Sequence, residues 1–324
     1  MRDAIDSRVR ITFVTTSYPD GPDDPAGHFV RAEARARAAD GDVVTVITPA
    51  TSAAAAGARD DDGLTVQAIY GGAAFGWPGV AARLARAPLA IGGALEWVYS
   101  ARNAVAALDA DLIVAHWVLP SVWPVAAVRS RHVPLIGVSH GADVRLLLAL
   151  PASVRSSVVT RLARSMSTWR FVSQRLRDSL LQALSPAATR AVMRIAELRG
   201  SPFEMPTVDP VLARARRHSM KADTVVSVVG RLTKGKSVYR ALDYAHACGP
   251  RTHVVVVGDG PERRALERYA RARGVSATFV GKTTRTEAAL WMAASDLVVI
   301  ASRAEGLSTV AREANELGVP VRFL

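Results

Sequence analysis

Cysteine is all but absent from this chain. Cys248 stands alone among 324 residues, which excludes a disulfide framework and agrees with a reducing cytoplasm. Aromatic residues make up 6% of the sequence and do not interleave with the basic positions as a nucleic-acid surface requires. No uncharged apolar run approaches bilayer length. The opening Met1-Arg-Asp-Ala-Ile-Asp-Ser-Arg-Val-Arg10 has no stretch suited to a signal peptide. A cytoplasmic protein is expected, soluble or peripheral on the inner face of the membrane. Lysines are very few, so the net charge of +12 is mostly arginine. Those arginines are spread along helices, which favours an anionic membrane surface or an anionic acceptor over nucleic acid as the partner.

Apolar residues, much of them Ala, Val and Leu, account for 49% of the chain. With this length they predict two α/β domains. Short apolar runs alternate with helical stretches, the pattern of doubly wound parallel sheets. Strands are expected at 9–16, 43–48, 64–70, 111–116, 134–139 and 169–173, with helices over His28 to Ala39 and across most of Val80 to Leu108. Asp60-Asp61-Asp62 reads as a solvated loop. Three prolines interrupt the stretch from Gly200 to Pro210, which places a boundary there and divides the chain into 1–203 and 204–324. A second series of strands follows at 224–229, 253–257, 277–280 and 296–300.

The most informative segment is Ser302-Arg-Ala-Glu305-Gly306-Leu307-Ser308-Thr309-Val-Ala-Arg-Glu313. Two carboxylates lie eight residues apart across a strand–turn–helix junction. Gly306 permits close backbone approach, and Ser308 or Thr309 can cap the helix. The unpaired N–H groups and positive dipole end of that helix suit a phosphate. Glu305 and Glu313 can then accept hydroxyl hydrogen bonds on either side of it, and diphosphate flanked by polyol is what a nucleotide sugar presents. An ordinary turn with two surface glutamates is the competing reading. Earlier, Gly230-Arg231-Leu-Thr-Lys234-Gly-Lys236 sets a fixed cation and two lysines directly after a strand, as bidentate and point-charge phosphate contacts require. Gly258 lies in a tight strand-to-helix turn and is expected to have at most a weak role near the nucleotide.

These segments, in this order, resemble the family 4 retaining glycosyltransferases of GT-B architecture, whose signature includes an E-x7-E spacing. The likeness covers nearly the whole chain. It includes an acceptor-side loop through Ala26-Gly27-His28, the Asp111 to Trp117 segment, and Ser139-His140-Gly141. It implies two Rossmann-like domains facing a cleft, an acceptor-side domain at 1–203 and a donor domain at 204–324. It implies transfer of a sugar from a UDP- or GDP-linked donor to a hydroxyl acceptor, a glycan or a lipid-linked one, with retained configuration, in cell-envelope glycan or exopolysaccharide synthesis. No cofactor and no metal are expected. The donor diphosphate falls to Gly230, Arg231, Lys236, Gly306, Leu307, Ser308 and Thr309, with Lys234 as the alternate to Lys236 because Ser237 stands where glycine is usual. Glu313 falls to the donor, His140 and Glu305 to catalysis, and Gly27 and His28 to the acceptor side. His116 reads as a buried structural histidine.

Family members continue for tens of residues beyond the counterpart of Gly318-Val-Pro320-Val321, whereas this sequence stops at Leu324. A second expectation follows, a truncated and catalytically inactive nucleotide-binding remnant with an uncovered edge on its second sheet. Phe75, Trp77, Arg83 and Arg86 join apolar and cationic residues, which suits a membrane headgroup interface.

Overall fold

The structure, a computed structural model, describes residues 8–21, 24–50, 52–75, 80, 83, 87–130, 132–302 and 308–324. It is an α/β protein with two parallel-sheet, Rossmann-like units. One gathers the described residues of Met1–Asp20 and Ala26–Phe203, the other those of Glu204–Leu324 and Gly21–Pro25.

The described residues of the first unit form an eight-stranded sheet. Its strands are β1 (Arg10–Val14), β2 (Val43–Ala50), β3 (Gly57–Asp61), β4 (Leu64–Tyr70), β5 (Leu112–His116), β6 (Leu135–Ser139), β7 (Thr168–Phe171) and β8 (Ala196–Leu198). They lie in the order β3-β4-β2-β1-β5-β6-β7-β8. Every neighbouring pair is parallel except β3 with β4. Among the described residues the unit's helices include α1 (His28–Ala39), α2 (Ile91–Ala106), α3 (Val118–Ala126, broken at Leu119), α4 (Ala142–Leu148), α5 (Ala152–Ser165), α6 (Gln174–Leu181) and α7 (Pro186–Met193).

Two expectations need correction here. Asp60 to Asp62 is no solvated loop. Asp60 and Asp61 belong to β3, and Asp62-Gly63 turns the chain with positive φ at both residues (55° and 84°), as a two-residue hairpin demands. Asp61 accepts hydrogen bonds from the Tyr18 hydroxyl and from Arg31 Nε, both at 2.8 Å. The described residues of Val80 to Leu108 are mostly helical, as expected: Val80 and Arg83 are helical, and a 3-10 turn at Pro88–Ala90 leads into α2. Phe75 is buried, its ring 5.1 Å from that of Trp97. It belongs to the core and not to a headgroup-facing patch; Trp77 and Arg86 lie outside the described residues.

The second unit is a parallel sheet of β9 (Thr224–Val229), β10 (Thr252–Val257), β11 (Ser276–Gly281), β12 (Leu297–Ile300) and β13 (Val321–Phe323), in the order β11-β10-β9-β12-β13. Its helices are α8 (Pro210–Ser219), α9 (Val238–Cys248), α10 (Arg263–Ala272), α11 (Arg285–Ala293) and α12 (Thr309–Glu316). Strands covered on both faces read as unbroken apolar runs, and the valines of β10 show why. Val254 and Val256 pack with Ala241 and Leu242 of α9 and Leu266 of α10. Val255 and Val257 face the other way, among Val225 and the α11 side chains Ala288 and Trp291. At the far edge the last residues pair with β12, Val298 opposite Val321; the sequence reading left that segment without a strand.

Two loops of this sheet are stitched together. Gly230 N–H donates to Val257 O, and Leu232 N–H to Asp259 O, both at 2.9 Å. The contact is so close that a Cβ on Gly258, whose φ is 131°, would stand 1.9 Å from Gly230 O. Gly258→Ala should therefore lower the unfolding free energy by about 2–4 kcal/mol, combining backbone strain with overpacking. At Gly274, with φ 66° but open space around it, an asparagine tolerates the conformation and should cost less than about 1 kcal/mol. Denaturant unfolding of the two variants tests the difference; equal losses would contradict it.

Candidate functional site

A pocket in the second unit opens at the carboxyl ends of β9 and β12, lined by Gly230, Arg231, Lys236, Ser302 and Ser308 over a floor of Val228, Val299 and Ile300. The chain runs from β9 outward through β10 and β11, then returns to the other side of β9 as β12. The pocket thus sits at the point where strand order reverses, the usual ligand crevice of an open α/β sheet.

Local chemistry positions each lining residue. Gly230 leaves β9 with φ 144°, a backbone that glycine takes without strain. Lys234–Lys236 forms one 3-10 turn, closed by Lys236 N–H on Thr233 O at 2.9 Å. Ser237 then adopts the left-handed conformation (φ 49°, ψ 40°), a physical reason for glycine to be usual at that place. The turn sets Lys236 on the pocket, its Cε 4.0 Å from the site of a Gly230 Cβ, while exposed Lys234 is not among the lining residues. Ser308 caps α12, accepting from Ala311 N–H at 3.3 Å, and Thr309 is the first helical residue. Gly258 does not line the pocket. It supports the pocket from below, through the backbone contact with Gly230.

Glu313, in the second turn of α12, is buried beside the pocket residues of its own helix and faces Arg285. Arg285 Nη2 stands 2.8 Å from Glu313 Oε1 and 2.7 Å from Glu204 O. Sequence reasoning missed Arg285. The signal was a Thr284-Arg-Thr-Glu287 capping pattern, in which Thr284 Oγ1 accepts from Glu287 N–H at 3.1 Å and starts α11. Glu305, Gly306 and Leu307 lie outside the described residues.

The first unit gathers Gly27, His28 and His140 around an aromatic cluster. Gly27 precedes α1 in a left-handed conformation (φ 64°), and a Cβ there would meet Ser17 O at 2.1 Å. His28 opens α1, its ring edge-on to Phe29 at 5.5 Å. Phe29 and Trp117 lie against His140, with centroids 4.6 and 4.8 Å away. His140 follows β6, and its turn is held by buried Asp143, which accepts from the N–H groups of Val118, Gly141 and His140 at 3.0, 3.0 and 3.2 Å. His116, at the end of β5, is fully buried, and its Nδ1 is 2.9 Å from His140 Nε2. Burial pushes the His116 pKa down to about 3, helped by the charge of Arg170. Burial, His116 and Arg170 push His140 well down too. Both imidazoles are therefore neutral near pH 7. Phe29, Trp117 and His116 all sat inside matched segments, but their convergence needed the fold.

Among the described residues no group of three His, Cys, Asp or Glu side chains is placed to hold a metal ion. No described helix is long and apolar enough to cross a membrane.

His116 gains a proton on unfolding whenever the pH lies between about 3 and its ordinary value near 6.5. The unfolded chain binds more protons there, so stability is full above pH 6.5 and falls as pH is lowered through that window. One such group contributes a slope of about 1.4 kcal/mol per pH unit. His116→Asn should lose about one such increment of slope between pH 6 and 4 by denaturant unfolding, and an unchanged slope would contradict the neutral buried state.

A family model described as "Glycosyl transferase 4-like domain" matches residues 26–196, and one described as "Glycosyl transferases group 1" matches residues 213–321. The chain is similar to TuaC of Bacillus subtilis (strain 168), named as a teichuronic acid biosynthesis glycosyltransferase, with 26% identity over 72% of this chain and 60% of that protein. It is also similar to the Vi polysaccharide biosynthesis protein VipC/TviE of Salmonella typhi, with 30% identity over 31% of this chain. The chain thus spans 60% of the first of these relatives and 18% of the second. Among solved structures, sucrose-phosphate synthase of Thermosynechococcus elongatus shares the fold at TM-score 0.71 and 20% identity, over 98% of this chain and 81% of that one. Anabaena HepE, solved in complex with UDP-glucose, does so at TM-score 0.68 and 19% identity, over 98% and 80%. The chain belongs to the glycosyltransferases of the GT-B type, a glycosyl transferase 4-like domain followed by a group 1 domain.

Proposed function

We propose that the protein moves a sugar from a nucleotide-diphosphate sugar, UDP- or GDP-linked, to a hydroxyl of a glycan or lipid-linked acceptor, with retention of configuration and without a metal. The observation that carries this reading is the pocket at the β9–β12 switch point, where Arg231, Lys236 and the capped start of α12 converge. A guanidinium, an ammonium and helix N-terminal amides are the groups that hold a diphosphate and take up its charge as it leaves. HepE, solved with UDP-glucose, shares this fold. TuaC and VipC/TviE are named for polysaccharide biosynthesis, which supports a role in cell-envelope glycan or exopolysaccharide synthesis.

In this mechanism Arg231 grips the diphosphate bidentately and Lys236 balances its second charge. Glu313, oriented by Arg285, accepts from the ribose hydroxyls, while Glu305 acts on the sugar side. Departure of the diphosphate leaves positive charge on the anomeric carbon, and the acceptor hydroxyl attacks from the same face, its proton passing to the leaving phosphate. Residues 1–203 supply the acceptor side, with Gly27 and His28 on the acceptor and His140 in catalysis. The net charge of +12 supports weak peripheral association with an anionic membrane surface on its inner face.

Arg231→Ala and Lys236→Ala should each weaken UDP or GDP binding by about 1.5–3 kcal/mol, the range for charged hydrogen bonds. Calorimetry measures this, and unchanged affinity in both would remove these residues from the site. Glu313→Gln should weaken UDP binding by about 1–2 kcal/mol yet leave the affinity for a dideoxyribose analogue nearly unchanged. An equal loss for both ligands would detach Glu313 from the ribose. Release of nucleoside diphosphate that depends on added acceptor is the test of transfer itself.

A further inference from the structure

Behind His140 lies a line of titratable groups that phosphate binding does not use. His116 Nδ1 meets His140 Nε2 at 2.9 Å. The other nitrogen of His116, Nε2, points at Glu33 Oε2 from 3.8 Å. Neither of these two atoms has a hydrogen-bond partner among the described residues. Glu33 itself, on the buried face of α1, is held by Arg170 of β7, with Nη1 to Oε1 at 2.6 Å. Arg170 also reaches Glu197 of β8 at 3.4 Å. Glu33, His116 and Arg170 are all buried, at 8%, 0% and 5% exposure. Four elements therefore converge on one file: α1, β5, the turn after β6, and β7.

We infer that Glu33, anchored by Arg170, is a positioning residue that sets the tautomer of His116 and, through it, that of His140. A separation of 3.8 Å is too long for a hydrogen bond, but in a dry interior a carboxylate at that range strongly favours an N–H facing it. His116 then carries its proton on Nε2 and presents a lone pair at Nδ1. Across the 2.9 Å contact the donor must be His140 Nε2–H. One proton remains for each ring, so His140 keeps its lone pair on Nδ1. The ring plane of His140 is fixed at the same time by Phe29 and Trp117 on its flanks. The file therefore delivers a neutral imidazole of defined tautomer, with an acceptor nitrogen available to an acceptor-sugar hydroxyl. Of the other charged groups nearby, Asp143 accepts from backbone N–H groups of the His140 turn and its neighbours and from the Ser139 hydroxyl, and Glu197 addresses Arg170. The catalytic consequence rests on the transferase reading above; the tautomer assignment does not.

The substitution Glu33→Gln makes the logic testable, because Arg170 must keep the amide oxygen on its own side. The amide NH2 then faces His116 Nε2 as a donor. His116 is forced to protonate Nδ1, and His140 must accept at Nε2 and protonate Nδ1. Long-range proton–nitrogen NMR correlations of the histidine-labelled full chain distinguish the two tautomers. The expected result is Nε2–H for both rings in the wild type, Nδ1–H for both in Glu33→Gln, and the wild-type pattern restored in Glu33→Asp. A wild-type His116 with its proton on Nδ1, or tautomers unmoved in Glu33→Gln, would overturn the inference, and the wild-type spectrum decides even if the glutamine variant does not fold. In a transfer assay Glu33→Gln should lower kcat on the order of tenfold or more, as for groups that orient a reacting imidazole, with the donor KM unchanged. Flipped tautomers with an unaltered kcat would overturn the positioning role. Absence of any transfer by the wild type would instead sink the functional reading, leaving the tautomers as the measure of the file.

Discussion

The second unit depends on how closely two of its loops approach. Gly258 and Gly230 stand with backbone against backbone, where one methyl group would come within 1.9 Å of a carbonyl oxygen. That approach allows Leu232 N–H to reach Asp259 O and Glu262 N–H to reach Leu232 O. The loop after β9 is thereby fixed to the start of α10. The loop carries Arg231 and Lys236, so the pocket inherits its geometry from this backbone contact. Long cationic side chains lose much entropy on ordering, and a rigid backbone confines that cost to the side chains themselves.

The two units solve opposite electrostatic problems. In the second, cations stand at a strand end beside a capped helix start, a region that must welcome negative charge. In the first, buried imidazoles are kept neutral by the absence of water and by Arg170 nearby. A neutral imidazole can both donate and accept; an imidazolium can only donate. Burial of His116 therefore does chemical work that its exposure would abolish, provided that a carboxylate decides which nitrogen carries the proton.

Much of the architecture was legible in residue order. The helix over His28 to Ala39 and the strand over Thr224 to Val229 have the bounds their patterns predict. Parallel strands buried on both faces can tolerate little but Val, Ile, Leu and Ala. Elements without that constraint were harder to see. β3 carries Gly, Arg and Asp at the edge of its sheet, and β8 and β13 are three residues each. Their apolar content is too small to register as a pattern, and they exist because a neighbouring strand offers unpaired backbone groups.

The candidate site divides in the same way. Sequence by itself determined which residue types stand at strand ends: Gly230 and Arg231 after β9, His140 after β6, Ser308 before α12. The grammar of alternating strand and helix places those ends on one edge of each sheet. Tertiary structure alone decided which of Lys234 and Lys236 lines the pocket, because only the 3-10 turn and the left-handed Ser237 turn one of them onto it. It alone paired Arg285 with Glu313, residues 28 positions apart, and lined up Glu33, His116, His140 and Arg170 across 137 positions of chain. Such pairings are set by the register of packed elements. Buried charges leave no periodic mark in a sequence, since each is satisfied by a partner on a different element.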